Sequence, residues 1–282
     1  MPDVNLRQPG GALGGNKPSS FIKWTAWAGL FFLVLPSIII LPMSFGDKNE
    51  LYFPPRSFSL FLYKQYFFES VWMETTYQSF RVAIASTFLA LFFGSTVSYG
   101  LVRASFPGKK LLGALLLSPL FVPPIVIALG LYLYFAPLGL QGTTIGLILA
   151  HTLYITPFVI VIAMGALQSI DENLESAARV MGAGRIYTFW RVTLPQLRPA
   201  LVSGGLVAFL MSFDELIISF FLSGFGTQTL PVKMFDNIKH EISPVLAAIS
   251  VLLTLLALII ALIATWYQDI QSQRKAQMEH TQ

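Results

Sequence analysis

The chain has no cysteine and only three histidines, and just 11% of its residues are charged. Without cysteine there can be no disulfide, no thiolate metal site and no lipid-modified N-terminal Cys, although the compartment stays open. The shortage of charge excludes more, because a soluble domain carries about a quarter charged residues. The chain also lacks any Gly-x-x-x-x-Gly-Lys-Ser/Thr segment, so it has no phosphate-binding loop of that kind. Apolar residues dominate instead: 55% are hydrophobic and the mean hydropathy is +0.67. The net charge of +4 comes from basic residues scattered among loops, not gathered with aromatics into a stripe. That distribution argues against nucleic acid and for a membrane topology signal.

A helix needs about 20 apolar residues to cross about 30 Å of hydrocarbon. Six runs meet that length, at about 22–45, 76–102, 111–136, 144–168, 200–222 and 245–268. The expected fold is an all-α membrane protein of six transmembrane helices. The N-terminus, the 103–110 turn, the 169–199 loop and the C-terminal tail hold Arg7, Lys17, Lys23, Arg103, Lys109, Lys110, Arg179, Arg185, Arg191, Arg198, Arg274 and Lys275. Lys48, Arg56, Lys64, Arg81, Lys233 and Lys239 remain for the other side. Positive charge is retained inside, which places both termini in the cytoplasm. The first run is too long for a signal-peptide core and lacks a small-x-small cleavage site, so it reads as an uncleaved helix.

Residues 1–20 are rich in Pro and Gly and read as a disordered leader, followed by a membrane domain at 21–270 and a cytoplasmic tail at 271–282. The external stretch 46–75 holds Tyr52, Phe53, Phe58, Phe61, Tyr63, Tyr66, Phe67, Phe68 and Trp72, too many rings for a solvated loop. A short amphipathic helix around 59–70 at the outer interface is expected. In the third run Pro119 and the pair Pro123-Pro124 remove backbone donors near mid-membrane and must bend or break the helix. The bend either faces a pathway that satisfies the freed carbonyls or only lets neighbouring helices pack. Pro36 and Pro157 read as structural.

Few charges lie deep in the runs, so Asp214 and Glu215 stand out. A carboxylate at that depth faces a bundle interior or a wet cavity and needs a partner or a substrate. In a continuous helix Ser212, Glu215 and Ser219 share one face, and Asp214 lies about 100° around. Either acid can line a substrate pathway, and either can bond to neighbouring helices. His151 lies at a matching depth of about 10 Å, counted at about 1.5 Å per residue. It is a candidate for the same cavity, with Tyr154 one turn on, and a packing role is the competing reading.

The loop at 169–199 carries the most specific pattern. Asp171 and Glu172 suit the positive end of a helix dipole, and Gly182 suits a left-handed C-cap after an amphipathic helix at 171–181. Gly184 permits a second turn, and Leu194-Pro195 leads toward the fifth run. Glu175, Ala177, Ala178, Gly182, Leu194 and Pro195 together resemble the EAA loop of ABC-importer permeases. Ser212-Phe213-Asp214-Glu215, Ser219-Phe220-Phe221, Thr229-Leu230-Pro231 and Ile242-Ser243-Pro244 narrow the resemblance to permeases of the spermidine/putrescine type. The sequence departs from the family pattern where Ser176 takes the usual Glu position, with Glu175 just before it, and where Val180 follows Arg179.

The resemblance implies a MetI-like fold and a non-catalytic subunit of an ATP-driven, binding-protein-dependent importer in a bacterial inner membrane. It implies as partners a homologous permease, two ATP-binding subunits docked on the EAA loops and an external solute-binding protein. ATP and Mg would be bound by the ATPase, with no cofactor or metal in this chain. Polyamine cargo suits acidic and aromatic pathway groups; amino-acid derivatives, phosphonates and ferric ion are the alternative cargoes. An ion-coupled secondary transporter would leave the 169–199 loop unexplained, and an intramembrane enzyme would need converging catalytic groups beyond His151.

The absence of native cysteine makes the topology directly testable. Introduced as Arg185→Cys and Lys233→Cys, single thiols are expected to react with an impermeant maleimide from opposite sides of the membrane, position 233 from outside. Labelling of both from one side would refute the six-crossing topology.

Overall fold

The structure, a computed structural model, describes residues 20–47, 52–240 and 243–279. The expected leader therefore lies outside the described residues except for Ser20, as do Lys48 and Ile242, and the tail is described only as backbone as far as Glu279. Among the described residues there are helices and no strands. Five helices are long and apolar enough to cross a membrane, and a bent pair makes a sixth span if counted as one.

Helix α1 (Ser20–Met43) is exposed along almost its whole length, as suits a helix bathed in lipid. The aromatic outer segment folds into α2 (Phe61–Phe68), within the expected 59–70, and buries Leu62 and Tyr66. Helix α3 (Ser70–Arg103) starts earlier than its apolar run because Trp72 and Thr75 already pack inside. Its buried stripe consists mostly of small residues, including Ser79, Ala83, Ser86, Ala90, Gly94 and Ser98. Small side chains let membrane helices approach closely, where dispersion and short hydrogen bonds replace the missing hydrophobic drive.

The third apolar run is not one helix. It forms α4 (Lys109–Leu117), a single 3₁₀ turn at Ser118–Leu120 and α5 (Pro124–Phe135), the two arms meeting at 103°. Pro123 and Pro124 account for the break, since neither can donate to a preceding carbonyl and Pro124 is preset to begin a new helix. The pair still counts as one crossing, because α3 and α6 (Thr144–Ser169) run parallel. Near their starts Gln78 donates to the Thr144 hydroxyl at 3.0 Å, and further along Ser98 donates to the Ile160 carbonyl at 3.1 Å. Two parallel spans require a return between them, and α4 and α5 are all that lies there.

Beyond α6 come α7 (Glu172–Val180), α8 (Arg185–Thr188), a π-helical turn at Phe189–Thr193 and α9 (Leu194–Phe213). Helix α9 returns antiparallel between α3 and α6: an added Cβ on Gly205 would meet Leu91 at 3.1 Å, and one on Gly204 would meet Ile162 at 3.4 Å. The fifth run then departs from the expected continuous helix. It stops at Phe213 and resumes as α10 (Ile217–Leu222), which packs its Ile218 and Leu222 with Ala128, Leu131 and Phe135 of α5. Helix α11 (Leu230–His240) follows, and α12 (Val245–Glu279) completes the bundle beside α1 and α2.

The tightest seam lies between α3 and α6, where a Cβ on Gly94 would sit 2.6 Å from Val159 Cγ1. Gly94→Ala is expected to destabilise the folded chain by about 1–3 kcal/mol through overpacking, and Val159→Ala in the same chain should restore most of the loss. Gly130→Ala, which meets open space, should stay within about 0.5 kcal/mol. Thermal unfolding in detergent distinguishes them; equal midpoints for Gly94→Ala and the parent chain would contradict the contact.

Candidate functional site

Two regions bring the expected site residues together. The first is the 169–199 segment. Asp171 caps α7 by accepting the Asn173 amide at 2.9 Å, which satisfies one of the open donors of the first turn. At the other end Gly182 takes φ +89°, and the Ala183 amide reaches back to the Ala178 carbonyl at 3.0 Å. This is the left-handed cap expected of Gly182. Gly184 differs from expectation: at φ −68° and ψ 159° it is ordinary extended backbone and serves as the N-cap of α8.

Glu175 is where the structure departs most from a surface docking motif. Only 1% of the residue is exposed, and its carboxylate accepts from Arg103 Nε at 3.1 Å, Tyr99 Oη at 3.2 Å and Thr193 Oγ1 at 3.0 Å. Arg103 also donates to Glu172 at 2.6 Å and to the Ile170 carbonyl at 2.9 Å. Glu175 is thus turned away from any soluble partner and spent on fastening α7 to the end of α3. Tyr99 packs edge-on to Phe189 at 4.9 Å in the same place. Tyr99, Arg103 and Thr193 were not legible as site residues. The one signal for Arg103 was its position at the end of a span, which also fits a topology charge.

Ala178 is buried beside Glu175, whereas Ala177 and Gly182 are exposed. Leu194 and Pro195 are half-buried in the first turn of α9, directly after the π-helical turn. The outer face of the segment is apolar, with Val180 89% exposed, Met181 82% and Ile186 77%. Tyr187 and Trp190 extend that surface. Exposed apolar faces of this kind mark protein–protein or membrane contact sites.

The second region is the break in the fifth span. Because the helix ends at Phe213, the expected common face of Ser212, Glu215 and Ser219 does not form. Glu215 is 8% exposed, and its Oε1 accepts the Ile218 amide at 2.7 Å, so it caps α10. Asp214, the last residue before the chain unwinds, is exposed. His151 is 1% exposed; its Nδ1 lies 2.8 Å from Ser212 Oγ and its Nε2 2.9 Å from Ser219 Oγ. Ser86 Oγ lies 2.9 Å from Ser212 Oγ. The ring therefore bridges the two halves of the broken span. His151, Ser212 and Ser219 are buried within this chain, where they satisfy one another. Tyr154 is half-buried and within electrostatic range of Glu215. Among the described residues no group of three or more His, Cys, Asp or Glu is placed to hold a metal.

Comparison with known proteins agrees with this geometry. The chain is 28% identical over 233 residues to the spermidine/putrescine transport system permease protein PotC of Haemophilus influenzae, covering 83% of this chain and 90% of the relative. It is 28% identical over 254 residues to the putrescine transport system permease protein PotI of Escherichia coli K12, covering 88% and 90%. Among solved structures, a chain of a bacterial ABC transporter that imports alginate superposes with a TM-score of 0.69 at 17% identity, covering 88% of this chain and 95% of that one. A chain of the inward-facing MetNI methionine ABC transporter superposes with a TM-score of 0.55 at 19% identity, covering 68% and 92%. These two establish the fold as that of ABC-importer permeases. Residues 86–277 match the family as a whole. The span from mid-α3 to the end of α12, with the capped loop helix between parallel and antiparallel spans, makes this chain a member of the binding-protein-dependent transport system inner membrane component family.

Proposed function

We propose that this chain is the membrane subunit of an ATP-driven importer of polyamines or closely related organic cations, paired with a homologous permease, driven by two ATPase subunits and loaded by an external binding protein. The observation that carries the motor assignment is the fastened loop helix. Its inner face is held by Glu175 and Arg103, and its outer face, Val180, Met181 and Ile186, is apolar and exposed. A push delivered to that face by a soluble partner is passed to α3 and α9 without loss in a floppy linker. ATP and Mg are handled by that partner. The cargo assignment rests on the names of the curated relatives and on Asp214, an exposed carboxylate where a span unwinds. Unwound segments and half-helix ends supply binding groups in transporters of other folds. The orientation that suits this reading has both termini and α7 in the cytoplasm of a bacterial cell.

The two acids should now separate. Asp214→Asn is expected to leave assembly intact and cut polyamine uptake about tenfold or more, the loss of one charged contact. Glu215→Gln weakens the cap of α10 and should instead lower the yield of folded chain. Uptake of labelled spermidine in vesicles, read beside chain abundance, decides; unaltered uptake and affinity in Asp214→Asn would remove Asp214 from the pathway.

The loop helix separates in the same way. Met181→Glu places a charge on the apolar face, and ATPase copurification should fall about tenfold or more with chain abundance unchanged. Glu175→Gln leaves Arg103 only the exposed Glu172 as counter-charge and weakens three hydrogen bonds at a buried carboxylate, a loss of about 1–3 kcal/mol, so abundance and copurification should drop together. Normal copurification with Met181→Glu would place the ATPase elsewhere.

A further inference from the structure

Between α3 and α9 lies an apolar surface groove of about 460 Å³. Its walls are Phe88 and Leu91 of α3 and Leu201, Val202, Leu206 and Phe209 of α9. Phe88 is 69% exposed and Val202 39%. At one end stands Arg198, exposed and four residues into α9, on the side of the bundle that carries α7. From Arg198 to Phe209 the groove follows α9 for about 16 Å at the helical rise of about 1.5 Å per residue.

We propose that this groove holds an acyl chain of an anionic phospholipid in the leaflet on the α7 side, with the lipid phosphate paired by Arg198. Two properties select a lipid. The walls are almost wholly apolar and follow the spanning helix α9, the shape of an extended acyl chain. The single charge stands at the end of the groove nearest the start of that helix, and it is a guanidinium, whose planar fork of donors matches phosphate oxygens bidentately. An apolar protein helix laid in the groove would meet the walls equally well but would leave Arg198 without a counter-charge. Arginines at the ends of clefts between membrane helices recruit anionic headgroups by this combination of charge and snorkelling stem. Arg198 is also five residues from Thr193, which is bonded to Glu175, so a lipid held there would brace the join between α9 and the loop helix.

The full chain is purified in mild detergent from membranes containing phosphatidylglycerol and phosphatidylethanolamine, and retained lipid is quantified by mass spectrometry. Wild type should retain phosphatidylglycerol in excess over its share in the membrane. Arg198→Gln should lower that retention about fivefold, Arg198→Lys, which keeps the charge but not the fork, should give an intermediate level, and Leu206→Trp, which fills the groove, should lower it while leaving Arg198 in place. Thermal unfolding confirms that each variant is folded, and the Arg198 pair tests the idea even if Leu206→Trp is not. A benzophenone attached through Val202→Cys, the only thiol in that chain, should form adducts with phospholipid upon illumination. Equal retention of both lipids, retention unchanged in Arg198→Gln, or a benzophenone adduct to a second polypeptide would each overturn the proposal, the last by making the groove a subunit interface.

Discussion

The pairing of Glu175 with Arg103 is the contact on which the arrangement of the loop segment depends. The two side chains are 2% and 10% exposed, at the end of a membrane span where water is scarce. Burying both charges contributes little net stability, since desolvation offsets much of the attraction, but stranding either one is costly. The pair therefore specifies position more than it adds stability. It ties α7 to α3, and through Thr193 it ties both to the first turn of α9. Every other feature of the segment, from the Asp171 cap to the Gly182 turn, serves to present one face of a nine-residue helix outward and the other to this carboxylate.

What could be read from the sequence follows from which features are local. The spans were legible because hydrocarbon imposes a length, and the ends of α7 because a cap needs Asp171 and a left-handed turn needs Gly182. The aromatic α2 was legible from composition. The inward aim of Glu175 was not, because its partner lies 72 residues away and a short amphipathic helix can offer a carboxylate to either water or protein. The resemblance pointed to Glu175 but carried no information about the partners of its carboxylate.

The broken fifth span failed for a different reason. Apolar residues continue at helical spacing through Phe213, Leu216 and Ile217, so periodicity carries no mark of the break. The mark is a local polar one: Glu215 stands three residues before the amide that it caps, a pattern more familiar from soluble helix starts. His151 was found by its depth, yet depth does not tell what its two ring nitrogens bond. Only the positions of Ser212 and Ser219, brought to opposite sides of the ring by the break, decide that.

The two interrupted spans end on each other. Helices α5 and α10, of 12 and 6 residues, both lie on the far side of their breaks from α7 and share one apolar cluster. The long helices α3, α6 and α9 meet at close glycine contacts. α-Helical hydrogen bonding is interrupted within the third and fifth spans at Ser118–Pro123 and Asp214–Leu216, so at these two short stretches a span can bend without unwinding a helix.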